Sequence, residues 1–168
     1  MKNQKGITLI ALAITIVVVI ILSSIIINIG RNSIKKSQLE SLKTNMLLIK
    51  AKAKEYVEQA NFKSGPQNSY KDDGGNLKAE VSAELKGTSA DANNYSYITL
   101  EEGQYLYDVN SELENMGLKN ISIDTTKSEK FLVRYDIPNA KVEVYNTVGY
   151  DDKGNKKYSL TDIEKIEY

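Results

Sequence analysis

The chain contains no cysteine, no histidine and no tryptophan, and only two of its 168 residues are proline. The absence of cysteine excludes disulfide bonds and thiolate chemistry, both as metal ligand and as nucleophile. The absence of histidine removes the commonest metal ligand and the commonest general base at neutral pH. With so little proline a long uninterrupted helix is allowed, and the eleven tyrosines favour β-strands.

The acidic residues offer weak candidates for catalysis or metal binding. Two pairs of neighbouring aspartates, Asp72-Asp73 and Asp151-Asp152, lie in segments rich in glycine and asparagine, where aspartate is typical of turns. The second pair opens the sequence DDKGN, which lacks the alternating acidic ligands and the distal glutamate of a calcium-binding loop. We therefore expect that the chain is not an enzyme and that it carries no cofactor and no metal.

Charge is balanced over the whole chain, with 22 basic and 22 acidic side chains, but it is unevenly distributed. Residues 31–54 carry seven basic side chains and one acidic side chain, whereas residues 55–168 carry thirteen basic and twenty-one acidic ones. The basic segment indicates either a solvated helix face beside anionic lipid headgroups or a surface that meets the acidic domain of another subunit. Because the basic residues lack interleaved aromatic residues and the main domain repels phosphate, we expect no direct nucleic-acid binding.

Nearly all of the strongest hydrophobicity lies in one uncharged run, Ile7–Ile29. As a helix this run would be about 35 Å long, enough to cross a hydrocarbon core of about 30 Å. It is longer than the apolar core of a cleaved secretory signal, and its end offers no small-residue cleavage site. Basic residues flank both ends of the run, so the positive-inside rule alone leaves its orientation open.

The residues that precede the apolar run are more specific than the run itself. The sequence KGITLI (residues 5–10) places a short basic leader and a glycine directly before the apolar helix. This order resembles the N-terminal signal of type IV pilins and type II secretion pseudopilins, in its Gram-positive, clostridial-like version. The resemblance implies that a prepilin peptidase cleaves after Gly6 and that the new amino group of Ile7 is methylated.

The resemblance also implies what the apolar helix does and what it contacts. Residues Thr8, Leu9, Ile10, Ala11 and Leu12 would lie first in the cell membrane and then in the core of a filament of pilin or pseudopilin subunits. The N-terminus would be cytoplasmic and the head extracellular, with an assembly ATPase and a platform protein as further partners. Most members of the family have glutamate where this chain has Ala11, which favours a minor subunit over the major pilin.

After Gly30 the apolar residues recur at alternating spacings of three and four, which is typical of one face of an amphipathic helix. The stripe consists of Leu39, Leu42, Met46, Ile49, Ala53, Tyr56 and Ala60. We expect one continuous helix whose second half packs on a sheet. Asn28 and Gly30 lower the helix propensity between the two halves, so a hinge and an intact helix are both open interpretations.

Beyond residue 60, turn residues and short apolar patterns predict a small domain. We expect a short helix around Val81, a loop at residues 87–94, one or two short helices within residues 99–117, and a helical turn capped by Thr161. Alternating apolar residues predict strands at residues 130–137 and 140–148, joined by a hairpin at Pro138 and Asn139. DDKGN predicts a second turn, followed by a further extended segment.

Together these patterns predict an α+β fold in which a long N-terminal helix, transmembrane and then amphipathic, packs on a small antiparallel β domain. The expected parts are a leader (residues 1–6), a transmembrane or filament-core helix (7–30), an amphipathic stalk helix (31–60) and a globular head (61–168). The expected function is that of a minor subunit of a type IV pilus or pseudopilus. The alternative is an uncleaved, single-pass surface protein whose head binds a ligand or has hydrolase activity. The N-terminal signal is shared by pilus, secretion and DNA-uptake systems.

Overall fold

The computed structural model describes residues 4–65 and 69–167, with side chains at residues 15–17, at 19 and from 33 onward. Two compact units are present, Met1–Glu40 and Ser41–Tyr168. One helix, α1 (Gln4–Ser64), contributes residues to both units. Within the described part of the chain, no helix combines the length and the apolar character that crossing a membrane requires.

The second unit is an α+β domain built on a five-stranded antiparallel sheet, whose strands lie side by side in chain order. The strands are β1 (Thr88–Ser89), β2 (Gln104–Asp108), β3 (Phe131–Asp136), β4 (Lys141–Asp152) and β5 (Asn155–Ser159). Short α-helices are α2 (Ala79–Ser82) and α3 (Leu160–Glu164), and 3-10 helices lie at Ala92–Asn94, Asn110–Glu112 and Thr125–Lys127. The predicted α+β fold, with one long helix packed on an antiparallel sheet, is therefore confirmed.

The helix side of the sheet is buried by the regular apolar stripe of α1. Within the second unit, α1 buries four residues of the predicted stripe, Met46, Ile49, Ala53 and Ala60. Val57 is also fully buried, whereas Tyr56, which the stripe predicted, is half-buried. On the sheet, side chains alternate between the two faces, which places Phe131, Val133 and Tyr135 of β3 on this side. At the end of the stripe a hydrogen bond joins α1 to the residue after β3, because Asn61 Nδ2 donates to the carbonyl of Ile137 at 2.7 Å.

The other side of the sheet is covered by the irregular segment that precedes β2. Leu106, Leu132 and Tyr145 form a hydrophobic cluster with Ile98 from that segment. Partly buried residues of the same segment pack against the cluster: Ala90, Ala92, Tyr95, Tyr97 and Leu100. Since Phe131 and its neighbour Leu132 are both buried, β3 is a central strand with apolar packing on both faces.

The helices predicted within residues 99–117 are largely wrong. Residues 104–108 form strand β2, where Leu106 pairs with Arg134 of β3, so non-local pairing outweighs the local helix signals. Residues 110–117 form the 3-10 helix and a turn. There the N–H of Leu118 donates to the carbonyl of Leu113, and Gly117 closes the turn with a φ of 78°.

Two smaller predictions are corrected and three are confirmed. The cap of α3 is Ser159 and not Thr161, because the Ser159 hydroxyl accepts the N–H of Asp162 at 3.1 Å. The predicted loop at residues 87–94 includes the short strand β1. The short helix around Val81 is present as α2, and both predicted hairpins, β3–β4 and β4–β5, are formed.

Candidate functional site

The predicted processing and filament-core residues all fall within the bounds of α1, where the structure describes the backbone but not their side chains. These residues are Gly6, Ile7, Thr8, Leu9, Ile10, Ala11 and Leu12. The predicted hinge residues Asn28 and Gly30 also lie within the bounds of α1, and their side chains are likewise outside the described residues. Cleavage, methylation, filament-core contacts and the hinge therefore stay predictions.

Part of the apolar run is described, and it is exposed. Ile16, Val17 and Val19 expose 52%, 55% and 54% of their surface. All three side chains are β-branched and apolar, so each exposes apolar surface that would be stabilised by burial in an apolar environment. The first unit thus presents hydrophobic residues that the fold of the chain itself does not cover at these three positions.

The aspartate pairs form turns, as predicted. Asp72 accepts the N–H groups of Gly74 and Asn76 at 2.9 and 2.8 Å, and Asp151 accepts the N–H of Gly154 at 2.9 Å. Each carboxylate is thereby used to hold a backbone turn. Among the described residues no cluster of three or more acidic residues is arranged to hold a metal ion.

A polar groove of about 480 Å³ lies beside β5 and α3. Its wall is aromatic: the rings of Tyr97 and Tyr158 are stacked with centroids 3.9 Å apart and an interplanar angle of 5°. Burial, followed by the neighbouring Tyr95 and Tyr158, raises the pKa of Tyr97 to about 12, so its hydroxyl is neutral at physiological pH. This wall is suited to stacking against a planar or ring-shaped ligand, and Tyr97 is unsuited to act as a base.

Two charged residues of the polar groove are engaged by the fold. Arg134 donates to the carbonyl of Thr99 at 3.2 Å and lies 5.8 Å from the ring centre of Tyr145. Glu143 accepts from the backbone N–H and the hydroxyl of Thr161 at 2.9 and 2.8 Å. The groove is also lined by Lys156 and Lys157, so it combines an aromatic wall with basic side chains.

Two further surfaces lie on the solvent side of α1, and they differ in charge. The basic groove, of about 510 Å³, is lined by Leu47, Lys50, Ala51, Lys54, Lys141 and Val142. The acidic patch, which encloses about 500 Å³, is lined by Glu55, Glu58, Gln59, Phe62, Lys63 and Glu84. Leu47 in the basic groove is 40% exposed, and Phe62 in the acidic patch is 86% exposed. Both surfaces thus combine an exposed apolar side chain with charges of predominantly one sign.

Sequence reasoning identified the basic segment 31–54, which contains Lys50 and Lys54, as one candidate for contact with an acidic domain of another subunit, but it identified neither the groove nor the acidic patch. A signal was present, since Leu47 and Phe62 are apolar residues that fall outside the predicted stripe of the helix. The contributions of Lys141 from β4 and of Glu84 from beyond α2 depend on the fold and carry no local signal.

Comparison with known proteins gave no match, neither to a family model nor to a curated protein nor to a solved structure.

Proposed function

We propose that the chain is a subunit of a type IV pilus or pseudopilus, made as a membrane-inserted precursor and cleaved between Gly6 and Ile7. The observation that carries the proposal is the sequence KGITLI (residues 5–10), which stands directly before an uncharged run of membrane-spanning length. The architecture is compatible with it, because the run and the stripe that packs on the sheet belong to one helix, α1.

The apolar helix would act twice. In the membrane, Ile7–Ile29 would hold the precursor in the lipid with Lys2 and Lys5 on the cytoplasmic side and the head outside. In the filament, the same helix would exchange lipid contacts for contacts with helices of other subunits, so that extraction does not expose it to water. An assembly ATPase would supply the work of extraction, and a platform protein would receive the subunit.

Ala11 favours a minor subunit. In the family that the chain resembles, glutamate at this position is thought to pair with the methylated amine of a neighbouring subunit. A buried amine is stabilised by such a partner, and the methyl group of Ala11 cannot supply one. A subunit that starts or caps a filament has no earlier amine to neutralise, so alanine is tolerated there.

The mature N-terminus tests the proposal. The full chain is expressed with a prepilin peptidase, extracted from membranes and analysed by mass spectrometry, which is expected to find a chain that begins at methylated Ile7. Substitution of Gly6→Val is expected to retain the leader, whereas the matched variant Gly30→Ala is expected to be processed normally. Retention of residues 1–6 in the unmodified chain, with the peptidase active on a known substrate, would contradict the proposal.

A second candidate function is favoured by the polar groove, whose stacked Tyr97 and Tyr158 suit a ring-shaped ligand. In this alternative the chain is an uncleaved, single-pass membrane protein whose head binds a ligand at the cell surface. The same mass spectrum separates the two candidates, because the alternative expects an N-terminus at Met1 or Lys2 in the presence of the peptidase.

A further inference from the structure

We propose that the basic groove of one copy binds the acidic patch of a second copy of this chain, so that successive copies add head to tail. The inference rests on one part of the proposed function, that the chain is a filament subunit, and not on the minor-subunit interpretation of Ala11; it deepens that part by naming the contact between neighbouring subunits. It draws only on surfaces of the second unit, Ser41–Tyr168.

The two surfaces are complementary in charge. The described lining of the basic groove holds Lys50, Lys54 and Lys141 and no acidic side chain. The acidic patch holds three glutamates, at residues 55, 58 and 84, and one lysine. Opposite potentials of this kind favour contact between the two surfaces and disfavour contact of either surface with itself.

The two surfaces are also complementary in their apolar content. Phe62 is 86% exposed, which leaves an aromatic ring almost entirely in water. The basic groove beside Leu47 and Val142 provides an apolar floor and a volume of about 510 Å³. An aromatic side chain buried in such a groove and ringed by charge pairs is the usual arrangement of an energetic centre in a protein interface.

Of the ion pairs within one copy, Lys63–Glu84 lies inside the acidic patch, and its Glu84 side chain is only 18% exposed, so Glu55 and Glu58 are the glutamates that a second copy would meet. The pairs of these two glutamates do not prevent the contact. Lys54 pairs with Glu58 at 3.1 Å, and Lys52 pairs with Glu55 at 3.6 Å, but the side chains in these pairs are 45–59% exposed. Exposed pairs of this kind contribute little to stability because both partners are well solvated. If these side chains paired with a neighbouring copy instead, each subunit would therefore lose little stability.

Helix geometry determines how two such copies would be related. On an ideal helix, the groove residues of α1 point about 80° around the axis from the patch residues of α1 other than Lys63, and these patch residues are centred about 12 Å further along. Two copies with parallel axes therefore bring patch and groove together after a rotation of about 100° and a shift of about 12 Å. Because the contact joins two different surfaces and the operation does not close, it generates an open helical polymer.

Such a contact would supply register by a different route from the one in the resembled family. The charge pairs between heads would set the position of each subunit, as glutamate at residue 11 does elsewhere. The inference therefore expects runs of consecutive copies, and its confirmation would replace the minor-subunit interpretation of Ala11.

Disulfide cross-linking tests the contact, since the chain has no cysteine of its own. The double variant Leu47→Cys, Glu55→Cys places two thiols about 12 Å apart along one helix, beyond the reach of about 7 Å between Cα atoms that a disulfide allows. Oxidation of the full chain in membranes with the peptidase and the assembly machinery is expected to give a ladder of covalent oligomers. Each single variant is expected to give none. Dimers from a single variant would indicate a two-fold contact and would overturn the inference.

Charge reversal provides a second test. The pair Lys50→Glu and Lys54→Glu is expected to reduce sheared polymer at least about tenfold, because like charges then face each other. Combination with Glu55→Lys and Glu58→Lys in the same chain is expected to restore polymer. Lys and Glu have similar helix propensities, so α1 itself is expected to persist. The matched control Lys119→Glu changes the charge of a side chain that is 70% exposed and lies outside both surfaces, and it is expected to have no effect.

The readouts separate this inference from the proposed function. Cleavage after Gly6 with polymer but without the cross-linked ladder would overturn the contact and leave the proposed function standing. Absence of cleavage in the unmodified chain would overturn the proposed function, and the contact with it. Cleavage, a ladder from the double variant alone and rescue by the combined reversal would support both.

Discussion

The two sides of the sheet are buried by different means. On the helix side, α1 presents a regular stripe that includes Met46, Ile49 and Ala53, all of them fully buried. On the other side, Ile98 and its neighbours cover Leu106 and Leu132 from a segment that has no long helix or strand of its own. A helix packs on a sheet with apolar residues whose regular spacing can be read in the sequence. An irregular segment packs through contacts that have no such spacing and exist only after folding.

The difference has a consequence for function. The helix side leaves the outer face of α1 in solvent, and this face carries the basic groove and the acidic patch. The irregular side ends at the polar groove, where Tyr97 of the covering segment stacks on Tyr158 of β5. The helix side therefore carries the surfaces of the proposed assembly contact, and the irregular side carries the recess whose stacked tyrosines suit a ring-shaped ligand.

The largest expected effect tests whether both sides are true cores. Phe131→Ala on the helix side is expected to lower the free energy of unfolding by about 3–5 kcal/mol, and Leu132→Ala on the irregular side by about 2–5 kcal/mol. Both side chains are almost fully buried, with exposures of 1% and 0%. Denaturant unfolding of the full chain in detergent, followed by circular dichroism, measures both.

The matched control for this pair is Leu48→Ala, because Leu48 is 46% exposed on α1. Its substitution is expected to change the free energy of unfolding by less than about 0.5 kcal/mol. If Leu132→Ala changed the free energy of unfolding as little as this control, the irregular segment would not pack tightly on the sheet, and only the helix side would be a true core.

The sequence predicts the helix side well because its signals are local. The stripe on α1 has a helical period, and β3 and β4 alternate apolar residues around the turn at Pro138, so helix, hairpin and their inner faces follow directly. The exception is Val57, which the predicted stripe omitted although it is fully buried. Here local propensity and tertiary packing agree.

The irregular side could not be predicted in the same way. Leu106, Val109 and Leu113 have helical spacing, yet Leu106 lies in β2 because β3 is available as a partner: Leu106 pairs with Arg134, much later in the chain. The candidate surfaces show the same limit. The leader that we propose to end at Gly6 is predicted from a local sequence pattern, whereas Lys141 joins Lys50 and Lys54 only because β4 lies beside α1.

A smaller effect concerns the hydrogen bonds of one buried asparagine, at the point where apolar packing on the helix side ends. Asn146, which is 1% exposed, accepts the N–H groups of Val148 and Gly149 at 3.1 and 2.9 Å and donates to Glu129 at 2.7 Å. It lies where the pairing of β4 with β5 becomes irregular. Asn146→Ala leaves these groups unpaired and is expected to cost about 1–3 kcal/mol.

The control for Asn146 is Asn115→Ala, since Asn115 is exposed and bonds only to the exposed Glu112 among the contacts described. It is expected to change the free energy of unfolding by less than about 0.5 kcal/mol. Equal effects of the two substitutions would mean that the helix side is held by apolar packing alone.

The smallest effect compares one tyrosine from each side at alkaline pH. Burial raises the pKa of Tyr135 on the helix side and raises the pKa of Tyr97 on the irregular side to about 12, whereas a tyrosine in the unfolded chain has a pKa of about 10. A folded pKa above the unfolded value stabilises the fold fully below pH of about 10, and that contribution is lost as the pH rises.

Tyr97→Phe is expected to reduce the loss of stability with rising pH only up to pH of about 12. Tyr135→Phe is expected to reduce this loss at higher pH as well. Denaturation midpoints measured across this range, with phenolate absorbance as the titration signal, separate the two variants. An unchanged slope in Tyr135→Phe would show that the helix side admits water to this ring, and the regular stripe of α1 would then seal the sheet less completely than the irregular segment does.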